Sequence, residues 1–522
     1  MMVDHKTQKY DRQLRLWAAN GQAMLEQSKV CLINGTATGA EALKNLILPG
    51  IGSFTVVDGK RVSGEDVGNN FFLDVDSIGT SRAKRVMELL YELNDDVEGF
   101  YLDEDAERLL ETKPEFFRQF SLVIATALPE SSVLRLAEIC WSAAIPLIVA
   151  HVVGFVGYFR IAVPEHTVVE SHPESIVDLR LDCPFPALRE YAESLNFAEM
   201  DSLEHGHIPY VAILLKFMKL YKEKHGRAPS TSDEKSEFKA MIRSEMRSSD
   251  EENFDEAINA VWRACTVSKI PEVVQKIFRD AACDSLNAQS PNFWVIARAV
   301  RDFTANEGGG LLPLAGTLPD MKADTERYVL LQNIYRAKAK QDILSVTQRV
   351  HQLLGSLGRP ADSIPSEEIE TFCKHAGYIR VLRYRSIGEE VARPNLSEIG
   401  SNLKDPESTL VWYVMLRAAE LFREAYGRYP GVDDETLNDD VRAMRKVVNE
   451  MLEKWGLDAS LIADDYVQEM CRYGNAEMPH LAAVLGGMVS QEAIKLITHQ
   501  YVPLDNTCVF DGGRAISCQF CL

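Results

Sequence analysis

The stretch from Val30 to Leu93 constrains the fold more than any other part of this 522-residue chain. An apolar run, Val30 to Ile33, leads into Asn34-Gly35-Thr36-Ala37-Thr38-Gly39. Leu43, Leu46 and Ile47 then recur at helical spacing, and a second run from Ser53 to Val57 ends on Asp58. Strand, glycine-bearing turn, helix, strand and an acidic residue about twenty positions beyond the turn are the layout of a nucleotide-binding βαβ unit. The turn departs from Gly-x-Gly-x-x-Gly. Asn34 and Thr36 stand where the first two glycines would let the backbone approach a phosphate, and only Gly39, which serves helix-to-strand packing, is kept. The pattern predicts a scaffold that survives while tight nucleotide binding does not. Asp58 reads equally as a ribose ligand or as a strand-end residue that caps the following turn. Lys60 is basic where magnesium coordination would call for a carboxylate.

The rest of the N-terminal part continues the alternation of strand and helix. Helical spacing runs from about Ser81 to Leu93, and the apolar runs Leu122 to Ala127 and Pro146 to Ala150 flank a helix at Ser131 to Ala143. This predicts a doubly wound, mostly parallel Rossmann-like α/β sheet. From about Ser171 prolines and charges break the rhythm. Long helical periods follow at Tyr210 to Lys224, Asn253 to Ala264, Glu326 to Leu354, Glu407 to Tyr426 and Asp440 to Leu457. Ser230 to Asp255, Gly308 to Pro313 and Gly355 to Pro365 read as loops. A last helix begins at Pro479, carries the pair Gly486-Gly487 for close backbone contact, and is followed by a strand at Thr507 to Phe510. The expected organisation is one α/β domain made of residues 1–170 and 477–522. A helical insertion, residues 171–476, divisible into two subdomains, would lie between the two parts. Upstream, Tyr10 to Gln27 is a charged amphipathic segment whose Arg12 and Arg15 read, on spacing alone, as a solvated helix face.

Composition excludes several classes. A net charge of −21 disfavours a nucleic-acid backbone as the main partner, because phosphate would be repelled over most of the surface. Ten scattered cysteines suit a reducing compartment better than a disulfide framework. The charged N-terminus lacks the apolar core of a signal peptide, and the most apolar stretch, Ile145 to Phe159, is too short and too interrupted for a bilayer. A soluble protein of the cytoplasm or nucleus, with no membrane partner, is expected. Cys518-Gln519-Phe520-Cys521 would supply half of a zinc site, but no second pair accompanies it, so no metal is expected. His205 and His207 have no ligand partner at metal spacing and read as loop residues.

The segments YDRQLRLW, INGTATGAEALKNLILPGIGSFTVVDG, VSGEDVGNNFF, SIGTSRAKR, ESHPES with DLRLDCPFP, LPLAGTLPDM, GRYPG, DDYVQEMCRYG and GGMVSQEAIKLIT occur in that order over nearly the whole chain. Together they resemble the ubiquitin-activating-type family, in its branch of inactive, regulatory halves that serve the Nedd/Rub modifiers. That resemblance implies a pseudo-active adenylation domain in a heterodimer. The active partner would bind ATP and Mg2+, adenylate the modifier, take it onto a cysteine as a thiolester and pass it to a conjugating enzyme. The helical insertion would be equivalent to the catalytic-cysteine domain and would help form the modifier groove. Active halves carry Gly-x-Gly-Gly-x-Gly, Asp-x-Asp and Asn-x-Asn-Arg-Gln. Here the matching positions are Asn34, Thr36, Ala37 and Gly39, then Asp58 with Lys60, then Asp66, Gly68, Asn69 and Asn70. The resemblance thus implies that this chain holds neither nucleotide nor metal. Arg12, in the Tyr-Asp-Arg-Gln motif, resembles the arginine that crosses to the partner's ATP phosphates.

Cys265-Thr266 followed by Pro271 fits the spacing of the family's catalytic cysteine. An amphipathic helix precedes it instead of a proline-bearing loop, and nothing in the sequence lowers the thiol pKa, so a half-buried packing cysteine is expected. Two other readings compete: a free-standing nucleotide-dependent enzyme with an atypical phosphate loop, and a pure scaffold. Asn34, Thr36 and the missing magnesium carboxylate count against the first. Arg12 separates the regulatory reading from the second.

Overall fold

The computed structural model describes residues 5–173, 177–433 and 435–522. The chain forms two compact units, one made of Met1–Val168 with Val381–Leu522 and the other of Val169–Arg380. In the first unit, a short helix at His5–Lys9 is followed by α1 (Asp11–Gln27), whose backbone leaves the helical range at Trp17 and Ala18. The carbonyl freed at Trp17 accepts a hydrogen bond from Gln500 Nε2 at 3.0 Å. Next come β1 (Lys29–Ile33), α2 (Ala37–Ile47), β2 (Ser53–Val57), α3 (Arg82–Tyr91), β3 (Glu98–Leu102), β4 (Leu122–Thr126), α4 (Glu130–Ser142), β5 (Leu147–Val153) and β6 (Val156–Ala162). The βαβ unit lies where the sequence puts it. β3 does not show in the sequence because it is an edge strand, exposed along much of its length and without an apolar face to mark its period.

The second unit is helical, with α5 (Tyr210–His225), α6 (Ser232–Arg243) and α7 (Thr325–Ser356) among its elements. Leu214, Phe238, Phe254 and Tyr335 lie in its core. The loop expected over Ser230 to Asp255 is in large part α6. Thr231 and Glu234 form a reciprocal capping box. One apolar pair, Phe238 and Ile242, is buried on a face otherwise crowded with charge. The single helix expected from Asn253 to Ala264 is two, Glu252–Asn259 and Val261–Ala264.

The first unit resumes at Val381, well before residue 477, where helical periodicity puts the return. The helices α8 (Leu410–Tyr426), α9 (Leu437–Lys454) and α10 (Asp464–Tyr473) belong to it. They bury Leu410, Met415, Phe422, Val448 and Met470 in one cluster with Val153, Val156, Val509 and Phe520 of the sheet. An apolar stripe records that a helix packs, but not on which unit. The chain closes with α11 (Pro479–Thr498), β7 (Thr507–Asp511) and β8 (Ile516–Phe520).

The eight strands run in the order β8-β7-β6-β5-β4-β1-β2-β3. β3, β2, β1, β4 and β5 are parallel, and β6, β7 and β8 extend the sheet antiparallel. The strand order reverses between β1 and β4, which opens a crevice at the carboxyl ends of those strands, where sheets of this type take ligands.

α11 packs on α2 at backbone distance. A Cβ at Gly486 would sit 2.7 Å from Glu41 Cβ and 2.9 Å from Ala42 N, whereas one at Gly487 would meet nothing within 4 Å. Of the glycine pair, then, only Gly486 makes the close approach. Although α11 is long and apolar enough to cross a membrane by composition, 61% of its most apolar window is buried, as expected of a core helix. Gly486→Val should destabilise the first unit by about 1–3 kcal/mol through overpacking, read as a lowered thermal midpoint, while Gly487→Ala leaves the midpoint unchanged or slightly raised.

Candidate functional site: a nucleotide cradle closed from within

The crevice is built by the residues that replace the fingerprint. Asn34 ends β1 with φ at 64°, a left-handed conformation that asparagine adopts more readily than most residues. Its Nδ2 donates to Thr126 O at 2.8 Å. Thr36 caps α2 by accepting from Gly39 N at 3.2 Å, and its hydroxyl donates to Thr126 Oγ1 at 3.0 Å. Both side chains therefore lace β1 to β4 across the strand crossover. A Cβ at Gly39 would lie 2.8 Å from Leu32 Cδ1, the helix-to-strand contact for which that glycine is kept.

Asp58 is fully buried. It accepts from Gly35 N at 2.8 Å and Lys60 N at 2.9 Å and pairs with Arg82 Nε at 2.6 Å. Arg82 in turn donates to Asp66 at 2.9 Å. Of its two readings, Asp58 takes the structural one: its oxygens hold the turn. Burial, reinforced by the charges of Arg82 and Arg423 and partly offset by Asp58 and Asp66, keeps Lys60 below the ordinary lysine pKa.

One further residue completes the closure. Glu477, in the loop before α11, accepts from Ala37 N at 3.0 Å and Thr38 N at 2.8 Å, and the Thr38 hydroxyl donates to the same carboxylate. First-turn N–H groups of such a helix are unpaired within it and in nucleotide sites point at phosphate. Here a carboxylate 440 residues away in sequence satisfies them. The opposite wall is sealed by Arg423, which donates to Tyr429 Oη at 2.9 Å and Ala127 O at 3.3 Å. Tyr429 donates to Glu420 at 2.6 Å, beside the buried His151. What remains open is a cavity of about 80 Å³ lined by Asn34, Thr36, Lys60, His151, Arg423 and Glu477. Pockets for small organic ligands run to roughly 300–1,000 Å³.

Arg12 lies on the exposed first turn of α1. Its guanidinium makes no hydrogen bond or ion pair with a described residue, whereas Arg15 pairs with Asp11 at 2.9 Å. Cys265 ends the Val261–Ala264 helix, half-buried against the helical core, and burial raises its thiol pKa. Cys518 and Cys521 are free thiols, and the described residues contain no cluster of three or more metal-ligating side chains. His205 departs from its expected loop. It ends a short helix, is fully buried, bonds Glu251 through Nδ1 at 2.6 Å, and stacks on Phe254 with ring centroids 4.8 Å apart. His207 bonds the carbonyl of Leu203 at 2.7 Å.

The ThiF family model matches residues 10–514, which sets the class. The chain is 48% identical to the NEDD8-activating enzyme E1 regulatory subunit of Gallus gallus, over 99% of this chain and 98% of that one. It is 47% identical to the same subunit of Xenopus laevis, over 99% of both. It is 43% identical to the regulatory subunit AXR1 of Arabidopsis thaliana, over 98% of this chain and 95% of that one. The chain belongs to the ThiF family and, within it, to the NEDD8-activating enzyme E1 regulatory subunits.

Glu477→Ala should lower the local opening free energy of the first turn of α2 by about 1–3 kcal/mol. Hydrogen exchange of a peptide covering residues 35–43 would read this as faster exchange. Unchanged exchange would mean that the carboxylate does not hold the turn.

Proposed function

We propose that this chain is the non-catalytic half of a heterodimeric NEDD8-activating enzyme. Its partner carries the ATP and Mg2+ site and the thiolester cysteine, and the complex hands NEDD8 to a conjugating enzyme. The observation that carries this reading is the Glu477 carboxylate on the first turn of α2, where a phosphate would otherwise sit. The chain contributes to chemistry through Arg12. A guanidinium with no partner of its own is available to a phosphate held by another subunit, and a fixed cation there stabilises charge developing in the transition state more than in the ground state. The helical unit supplies a wall of the modifier groove, and the complex works in the cytoplasm or nucleus. A free-standing nucleotide-dependent enzyme would need the cradle open. A pure scaffold would leave Arg12 idle.

Arg12→Ala in the reconstituted heterodimer should slow ATP–pyrophosphate exchange by about 10²-fold without separating the subunits on gel filtration. An unchanged exchange rate removes Arg12 from the mechanism. Cys265→Ala should leave thiolester formation at the wild-type rate. A NEDD8 adduct on Cys265, found by mass spectrometry, would contradict the assignment of the thiolester to the partner.

A further inference from the structure

The helical unit contains a cavity of about 580 Å³ that the adenylation reading leaves without a role. Two of the segments that carry the family resemblance meet there: the chain around Asp178 to Leu181, and Leu312 to Thr317. The third wall is Trp262 to Pro271, the segment in which Cys265 has catalytic spacing but a burial-raised thiol. Arg180 ties the first two walls together. Held at φ 53°, it pairs with Asp178 at 2.8 Å and donates to Leu312 O at 2.6 Å.

Three properties define what the cavity can hold. The lining is in larger part apolar, and Trp262 and Val267 in it are 43% and 71% exposed. The lining cations Arg263, Lys269 and Lys374 form no ion pair with any described residue, in a chain whose net charge is −21. The nearby carboxylates are already engaged: Asp178 by Arg180, and Asp182 by Ser268, whose N–H donates to it at 2.8 Å. Finally, Ala315 and Thr317 line the cavity on irregular chain, and their backbone N–H groups make no hydrogen bond with a described residue. Unpaired main-chain donors beside an apolar pocket suit an extended peptide, which pairs through its backbone and inserts a side chain. The unpaired cations select acidic flanks.

We propose that this cavity is a docking site for an acidic peptide segment of a partner protein, anchored by one bulky apolar side chain. Lys269 and Lys374, with Arg263 held over Trp262 beside them, would read the acidic residues, and the N–H groups of Ala315 and Thr317 would hold the peptide backbone.

The test is to pan a displayed library of random hexapeptides against the full chain and against the Lys269→Glu/Lys374→Glu double variant. Both substitutions are at exposed positions, and circular dichroism confirms the fold of the variant. The expected result is enrichment of acidic sequences with a single bulky apolar residue. The best of them, labelled and followed by fluorescence anisotropy, should bind the double variant about tenfold or more weakly. No enrichment, enrichment of sequences without acidic residues, or affinity retained by the double variant would overturn the proposal. So would a cavity that takes up citrate while no peptide binds, because that would make it a small-anion site.

Discussion

The carboxylate of Glu477 on the first turn of α2 joins the last part of the chain to its first, and the first unit depends on that contact. A helix start leaves N–H groups without partners. In a nucleotide-binding βαβ unit the phosphates satisfy them, so the loop stays open and glycine-rich. Here the chain supplies its own anion. The segment Val381–Leu522 therefore delivers α8 to α10 to one face of the sheet and the carboxylate that caps the cradle helix, and α11 then packs on that helix at Gly486.

The other substitutions in the cradle follow the same logic. Asn34 and Thr36 turn a flexible glycine turn into a laced one, each bonded to Thr126 on the neighbouring strand. Asp58 gives its oxygens to the turn and to Arg82, and Lys60 stands where a metal would need a carboxylate. Each replacement adds an internal contact at a position where the glycine fingerprint would leave the turn open.

Much of this was legible from sequence because it is local. The apolar runs of β1 and β2, the altered turn at Asn34 and Thr36 and the Gly39 packing position all signal within a dozen residues. What was not legible is long-range or lacks periodicity. β3 has no buried stripe, α6 shows only Phe238 and Ile242 against a charged face, and α8 to α10 look like any other amphipathic helices until their partner sheet is known. Glu477 stands in a loop with nothing to mark it, and its donors are 440 residues upstream. The Glu251 carboxylate that holds His205 lies 46 residues away. Cys265 shows the converse. Its spacing matched a catalytic motif, while its environment, which spacing does not encode, half-buries the thiol and raises its pKa.

We propose that the crevice is shut by this chain's own side chains and that adenylation uses the partner's site alone. Equilibrium dialysis of radiolabelled ATP with magnesium against the purified heterodimer tests it most directly. On that proposal saturation comes at one nucleotide per heterodimer, unchanged by Glu477→Gln. Saturation at two per heterodimer, with the second site lost on substitution of Lys60 or Arg423, would contradict it.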